Sequence, residues 1–493
     1  MKKAKTIMIQ GTGSGVGKSI IVSAFCRIFL QDGYCVAPFK AQNMALNSFV
    51  TEDGGEIGRA QATQAQACKI KPTVDMNPVL LKPTTDTGAQ IIVCGKPIGN
   101  MQAVEYHKYK PQLIETIKQC FTRLQQQYEI IVIEGAGSPA EINLKDNDIV
   151  NMYMAKIADA PVILVVDIDK GGAFAWIAGT LELLPSDERS RIKGVIINKF
   201  RGDKTLLQSG LEFMEKRYKV PILGVIPYFH NICIAEEDSL GLEKRKRGKK
   251  KGCEIEVGVI KLPHISNFTD FDALENEPDV NLHYVNDKEE LGSLDVTIIP
   301  GTKNTIEDLN YLKRSGLAQK ITSNFESQPT NILVGICGGY QMLGEWIYDP
   351  TDVESKKKRI KGLGILPIIT QMYPEKILSQ VKAHDLFSGI EVSGYEIHHG
   401  RSEEVKKVEP MFEIHGMNKT DGAQILNRKC WGTYIHGVFD SDTFRRNFLN
   451  DVRIQKGMQP LAEGKTYNVD IEIDKLSCLI RENINLDLLY DIL

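Results

Sequence analysis

The chain has 493 residues, more than one hydrophobic core normally organises, so its length alone implies two or more domains. An apolar fraction of 42% and a charged fraction of 25% exclude a disordered or fibrous class. Acidic and basic residues nearly cancel, 63 against 60, which argues against nucleic acid or an anionic membrane surface as the main partner.

After the basic start Met1-Lys2-Lys3-Ala4-Lys5, the apolar stretch covers only Ile7 to Ile9, too short for a signal-peptide core and suited to a strand. No apolar run reaches the roughly 18 residues of a membrane helix. These features predict a soluble, cytoplasmic protein without a membrane partner. Ten cysteines occur without a Cys-x-x-Cys pair, so neither a zinc site nor a disulfide framework is signalled.

The strand at Ile7 to Ile9 leads into Gly11-Thr12-Gly13-Ser14-Gly15-Val16-Gly17-Lys18-Ser19 and then an apolar-periodic segment from Ile20. Strand, glycine loop and helix start are the architecture of a P-loop. Gly13, Gly15 and Gly17 let backbone N–H groups turn inward on the phosphates of ATP, Lys18 reaches the terminal phosphates, and the Ser19 hydroxyl suits Mg²⁺. The strict pattern places its first glycine where Thr12 stands, so this loop is a variant.

Downstream, Tyr128 to Glu134, Pro161 to Asp167 and Gly194 to Asn198 read as β-branched strands separated by helix-period segments, the rhythm of a doubly wound parallel α/β sheet. Glu134, at a strand's carboxyl end, is placed to hold Mg²⁺ with Ser19. Asp167 and Asp169 either reach the same crevice or cap the Gly171-Gly172 turn. Asn198 is a candidate contact to the nucleotide base. The run from Glu243 to Gly252 is the sharpest composition shift in the chain and reads as a solvated connector. The division expected is therefore an ATP-binding domain over 1–240, a basic linker over 241–252, a second α/β domain over 253–450, and a tail over 451–493 with no functional reading.

In the second half, strands are expected at Glu256 to Ile260, Val296 to Pro300 and Asn331 to Ile336. The last runs into Gly335-Ile336-Cys337-Gly338-Gly339, a Gly-x-Cys-x-Gly turn before a helix. That is a nucleophile elbow with cysteine in place of serine. The helix start favours a reactive thiolate at Cys337. His436, after a short strand, is the expected base, with His398 and His399 as rivals. The amides of Gly301, in a glycine turn after Val296 to Ile299, and of Gly338 are the expected oxyanion donors.

Four further strings accompany these motifs: Pro38 to Ser48 (PFKAQNMALNS), Asp167 to Phe174 (DIDKGGAF), Asn198 to Asp203 (NKFRGD) and Leu262 to Asp272 (LPHISNFTDFD). With them, the chain from residue 6 to about residue 450 resembles the glutamine-hydrolysing cobyric acid synthases of cobalamin biosynthesis. The resemblance implies a P-loop NTPase-like domain similar to dethiobiotin synthetase, followed by a flavodoxin-like class I glutamine amidotransferase domain. It implies glutamine, ATP and a corrinoid carboxylate as small-molecule substrates. The implied reaction amidates the b, d, e and g carboxylates of adenosylcobyrinic acid a,c-diamide to adenosylcobyric acid, one ATP and one glutamine per amide.

Class I amidotransferases usually carry a glutamate two residues after the catalytic histidine, and here Val438 stands there. The resemblance therefore implies a Cys337–His436 dyad, helped by another acceptor such as Glu396. Two alternatives share these domain types. One is the a,c-diamide synthase of the same pathway, which the segment Lys40 to Ser48 disfavours. The other is a partitioning or regulatory ATPase, in which a second lysine normally stands where Gly13 is and Cys337 has no use.

Overall fold

A computed structural model describes residues 3–84, 87–229, 232, 234, 252–328, 330–416, 419–462 and 467–493. The basic run expected as a linker lies outside these residues except for its last glycine. Two compact units result, and both are discontinuous in sequence. The first holds Met1–Ala45, Gly55–Asp238 and Asn468–Leu493; the second holds Leu46–Gly54 and Ser239–Tyr467. Two features differ from the expected division. A short N-terminal segment belongs to the second unit, and the tail is split at residue 467.

The first unit is built on six parallel strands in the order Ile222–Pro227, Ile192–Phe200, Val162–Asp167, Lys5–Gly11, Ile130–Glu134, Val36–Phe39. Strands buried on both faces need apolar residues at successive positions, and these have them. Ile7, Ile9, Ile130 and Val132 point into one core, whereas Met8, Ile131 and Ile133 point into the other. The sheet grows to both sides of Lys5–Gly11, so the carboxyl end of that central strand opens a crevice, and the P-loop lies there. A second, smaller sheet joins Gln42–Met44, Val79–Pro83, Gly88–Val93 and Lys96–Gln102.

The C-terminal residues complete this unit. Helices Val469–Asn483 and Leu486–Ile492 deliver Ile473, Leu476, Ile480 and Leu489 to the core that also contains Ile21, Phe25 and Phe29 of the P-loop helix, Lys18–Gln31. The buried Arg27 guanidinium pins the contact, with Nη2 2.6 Å from Asp470 and Nη1 2.7 Å from Asp474, while Nε donates to the Ala67 carbonyl.

The second unit has a sheet in the order Val280–Val285, Ile255–Ile260, Val296–Ile299, Ile332–Ile336, Cys430–Thr433, Ala423–Ile425, parallel but for its last strand. Trp431 sits fully buried among Phe439, Phe444 and Phe448, anchoring the helix Asp442–Gln455 to this sheet. A long hairpin, Ile368–Asp385 with Glu391–Glu404, forms the spine of a further sheet. No helix among the described residues is long and apolar enough to cross a membrane.

The packing of the C-terminal helix gives a direct test. Leu476→Ala removes a fully buried side chain from the core beside the P-loop helix. It should cost about 2–5 kcal/mol of the first unit's stability, read as a lower denaturant midpoint by a probe in that unit.

Candidate active site

The strand Ile332–Ile336 ends at Cys337, whose φ of 50° and ψ of −105° lie outside the ordinary regions for a side-chain-bearing residue. Such a conformation persists only where the surroundings fix it. Here the Cys337 N–H donates to the Thr433 carbonyl, and the Cys337 carbonyl accepts from Gln341 in the helix Gly338–Leu343. The turn also demands a bare backbone at Gly339, since a Cβ there would overlap the Ile299 carbonyl. The thiol is buried, 3.8 Å from the Ile397 carbonyl oxygen.

His436 faces that thiol. Its Nδ1 is 2.6 Å from Asp270 Oδ2, and the other Asp270 oxygen accepts from the Gly437 N–H at 3.1 Å. Both side chains are almost wholly buried. Burial pushes the imidazole pKa down, but the Asp270 carboxylate and the Cys337 sulfur outweigh it and raise it to about 10. The Tyr395 ring stacks on the imidazole at 5.3 Å, and Asn267 Nδ2 lies 3.4 Å from its Nε2.

Asp270 is a partner that the sequence reading missed, and it corrects the expectation that Glu396 assists His436. Glu396 is engaged elsewhere: Lys419 Nζ is 3.1 Å away, Ser379 donates to it at 3.0 Å, and His398 Nε2 is 3.8 Å away. Burial raises its pKa, yet His398 and Lys419 bring it down to about 2. His398 and His399 each donate from Nδ1 to a backbone carbonyl, of Gly400 and Tyr373, and His398 stacks on Tyr434 at 3.7 Å. Their rings are thus held by structural contacts. The signal that pointed to Asp270 was present in the string Leu262 to Asp272, but nothing in the spacing assigned it a partner.

Gly301 lies beside the imidazole, where an added Cβ would come 2.9 Å from His436 Cε1. Its neighbour Thr302 abuts Gly338, with Thr302 N 3.2 Å from a Cβ built there. The two glycines expected to flank the oxyanion therefore come together around Cys337 and His436. Their loop is fixed by Thr302, which donates to the His264 carbonyl, and by Asp308, which holds both the His264 ring and the Thr302 hydroxyl.

In the first unit, Gly17 precedes the P-loop helix with a φ of 99°, and a Cβ there would overlap the Asn198 amide. Asn198 Nδ2 donates to the Val16 carbonyl at 2.9 Å, so the side chain proposed for the base is engaged in holding the loop. Lys18 Nζ donates to the Gly13 and Gly137 carbonyls. Glu134, fully buried, accepts from Ser19 Oγ at 2.8 Å, Lys40 Nζ at 2.9 Å and Gln64 Nε2 at 2.5 Å. Burial raises the Glu134 pKa, but Lys40 and these hydrogen bonds hold it below the ordinary carboxylate value. Lys40 and Gln64 are further residues that sequence spacing did not connect to this carboxylate. Asp167 accepts from the Asp169 N–H and pairs with Lys199, whose Nζ also donates to the Gly15 carbonyl of the P-loop.

A buried carboxylate beside a hydroxyl suits Mg²⁺, which uses one or two carboxylates and keeps several waters. Ser19 and Glu134 fit that donor set. No group of three or more His, Cys, Asp or Glu side chains positioned for a metal occurs among the described residues, so a fuller protein cage is not offered.

A phosphate loop in one unit and a thiol–imidazole–carboxylate array in the other define an ATP-binding, glutamine-hydrolysing amidoligase. Comparison agrees: residues 7–242 match the CobQ/CobB/MinD/ParA nucleotide binding domain, and residues 256–444 match the CobB/CobQ-like glutamine amidotransferase domain. Cobyric acid synthase of Dehalococcoides mccartyi strain 195 is 49% identical over 99% of this chain and 98% of that protein. The cobyric acid synthases of Syntrophobacter fumaroxidans and Streptococcus sanguinis are 47% and 49% identical, over 98% and 99% of this chain and 97% and 99% of their own. The chain belongs to the cobyric acid synthase family.

The Asp270 contact yields a prediction with a definite sign. Asp270→Asn removes the charge that raises the His436 pKa, so the imidazolium should lose its proton at a lower pH. The alkaline limb of glutamine hydrolysis should move toward acid, and kcat should fall roughly 10²- to 10⁴-fold. An unmoved pH profile in steady-state ammonia release would exclude this role.

Proposed function

We propose that the chain hydrolyses glutamine at Cys337 and uses the ammonia to amidate corrinoid carboxylates that ATP has activated. The observation that carries the reading is the convergence of an elbow cysteine, an imidazole and a buried carboxylate in one unit. In this reading the Cys337 thiolate attacks the carboxamide carbon of glutamine, and the proton held on His436 Nε2 goes to the departing ammonia. Water then attacks the thioester, with His436 taking its proton, and glutamate leaves. The amides at Gly301 and Gly338 supply the donors for the tetrahedral oxyanion. Asp270 holds the imidazole by Nδ1, so that Nε2 is the nitrogen that faces sulfur.

At the other site, the carboxylate attacks the γ-phosphorus of ATP, ADP leaves, and an acyl phosphate forms. Ammonia then attacks the acyl carbon and inorganic phosphate departs, leaving the amide. Lys18 and Lys40 place two cations in the phosphate cradle, where charge on the transferring phosphoryl group needs stabilising. Ser19 and Glu134 would hold Mg²⁺, which when bound neutralises phosphate charge. Gly13, Gly15 and Gly17 supply the turning backbone of the loop, and Asn198 keeps that backbone in place. Following the family, the substrate is adenosylcobyrinic acid a,c-diamide and the groups amidated are its b, d, e and g carboxylates.

Two substitutions separate the half-reactions. Cys337→Ser should abolish glutamine-dependent synthesis while ammonium-dependent synthesis persists, measured by the mass of the corrinoid products. Losing both equally would refute the division of labour. Lys18→Ala should stop amide formation with either nitrogen source, and retained synthesis with ammonium would remove Lys18 from the phosphate site.

A further inference from the structure

The segment Leu46–Gly54 belongs to the amidotransferase unit although the residues on both sides of it in the chain belong to the nucleotide-binding unit. Asn47 and Ser48 are fully buried there. The two polar groups of the Ser48 peptide are both taken by residues that touch the imidazole. Its N–H donates to Asn267 Oδ1 at 2.9 Å, and its carbonyl accepts from the Tyr395 hydroxyl at 3.1 Å. Asn267 Nδ2 lies 3.4 Å from His436 Nε2, and the Tyr395 ring stacks on the same imidazole. A second bond, from the Phe268 N–H to Asn47 Oδ1 at 3.2 Å, fixes the loop that carries both Asn267 and Asp270. Phe49 and Val50 pack with Tyr395, Ile397 and Leu378, so the segment is seated by apolar contact as well.

The orientation of the Asn267 amide follows from these bonds. A backbone N–H must meet oxygen, so Oδ1 faces Ser48 and Nδ2 faces the imidazole. With Nδ1 of His436 directed at Asp270, Nε2 is the atom that takes the proton of the Cys337 thiol; the Asp270 charge favours the protonated ring, and only the neutral ring offers Nε2 as a lone pair. An amide N–H aimed at that lone pair competes with the thiol for it. It also repels the proton once Nε2 carries one.

We propose that Leu46–Gly54 is a control segment of the glutaminase site: through the Ser48 peptide it holds Asn267 against His436 Nε2 and restrains thiolate formation until the segment shifts. Asn267 and Ser48 are positioning residues in this arrangement. The segment is continuous at both ends with chain of the nucleotide-binding unit, so the substrates of that unit are the stimulus the test applies. The inference rests on the reading of Cys337 and His436 as the glutamine-hydrolysing pair.

The test measures glutamine hydrolysis by the full chain, alone and with ATP, Mg²⁺ and corrinoid a,c-diamide together. Asn267→Ala removes the competing N–H and should raise the unstimulated rate roughly 5- to 100-fold, with a matching loss of stimulation. Asn267→Asp keeps an oxygen for Ser48 and replaces the N–H by an acceptor for the imidazolium, so it should raise the unstimulated rate as well. Asn47→Ala should raise it less, and ammonium-dependent synthesis should stay unchanged in all three. An unstimulated rate that stays constant, or falls in parallel with the stimulated one, in both Asn267 variants overturns the proposal. Cys337→Ser distinguishes the two levels: hydrolysis surviving in it defeats the site itself, whereas its loss beside unaltered Asn267 variants defeats only the control segment.

Discussion

The contact between His436 Nδ1 and Asp270 Oδ2, 2.6 Å long and between two almost wholly buried side chains, is the constraint around which the amidotransferase site is arranged. A buried carboxylate needs either a counter-charge or hydrogen bonds. Asp270 obtains both, from the imidazole and from the Gly437 amide. Removing one member of such a pair strands the other in a low-dielectric interior, at a cost of about 3–5 kcal/mol. The loop 267–271, the Gly301 turn and the elbow at Cys337 therefore have little freedom to drift apart. Positions that look like separate motifs in the chain are tied to one buried charge.

The nucleotide-binding unit solves a related problem with different groups. Glu134 is equally sequestered, yet its counter-charge is an ammonium from Lys40 and its remaining acceptor capacity is filled by Ser19 and Gln64. Lys40 is brought to it because Val36–Phe39 pairs directly with Ile130–Glu134, whereas Ser19 and Gln64 reach it from the helices Lys18–Gln31 and Arg59–Ala67. A carboxylate so supplied keeps its charge without a metal. Lys40 and Ser19 both meet the same Glu134 oxygen, and Gln64 meets the other.

Much of this architecture is legible in the chain because the signals are local. The P-loop glycines, the strand ending at Glu134 and the Gly-x-Cys-x-Gly elbow each fit within a few residues, and a parallel sheet announces itself by unbroken β-branched runs. The partner of His436 was not legible for the opposite reason. Asp270 stands 166 residues earlier, and the usual neighbour two places after the histidine is a valine, so no spacing rule reaches it. Glu396, the acceptor the resemblance suggests, is instead committed to His398 and Lys419. The placement of Leu46–Gly54 and of Asn468–Leu493 escaped for a similar reason, since both are decided by long-range packing rather than by composition.

The return of residues 468–493 to the first unit has a consequence during synthesis. A ribosome releases Ile473, Leu476, Ile480 and Leu489 only after the whole amidotransferase unit has emerged. At typical elongation rates that interval lasts on the order of tens of seconds. Throughout it, the flank of the P-loop helix bearing Phe25 and Phe29 has no cover, and Arg27 has no carboxylates. The nucleotide-binding half, first to be translated, is thus the last to close its core, and a holding chaperone has a defined apolar face to guard until then.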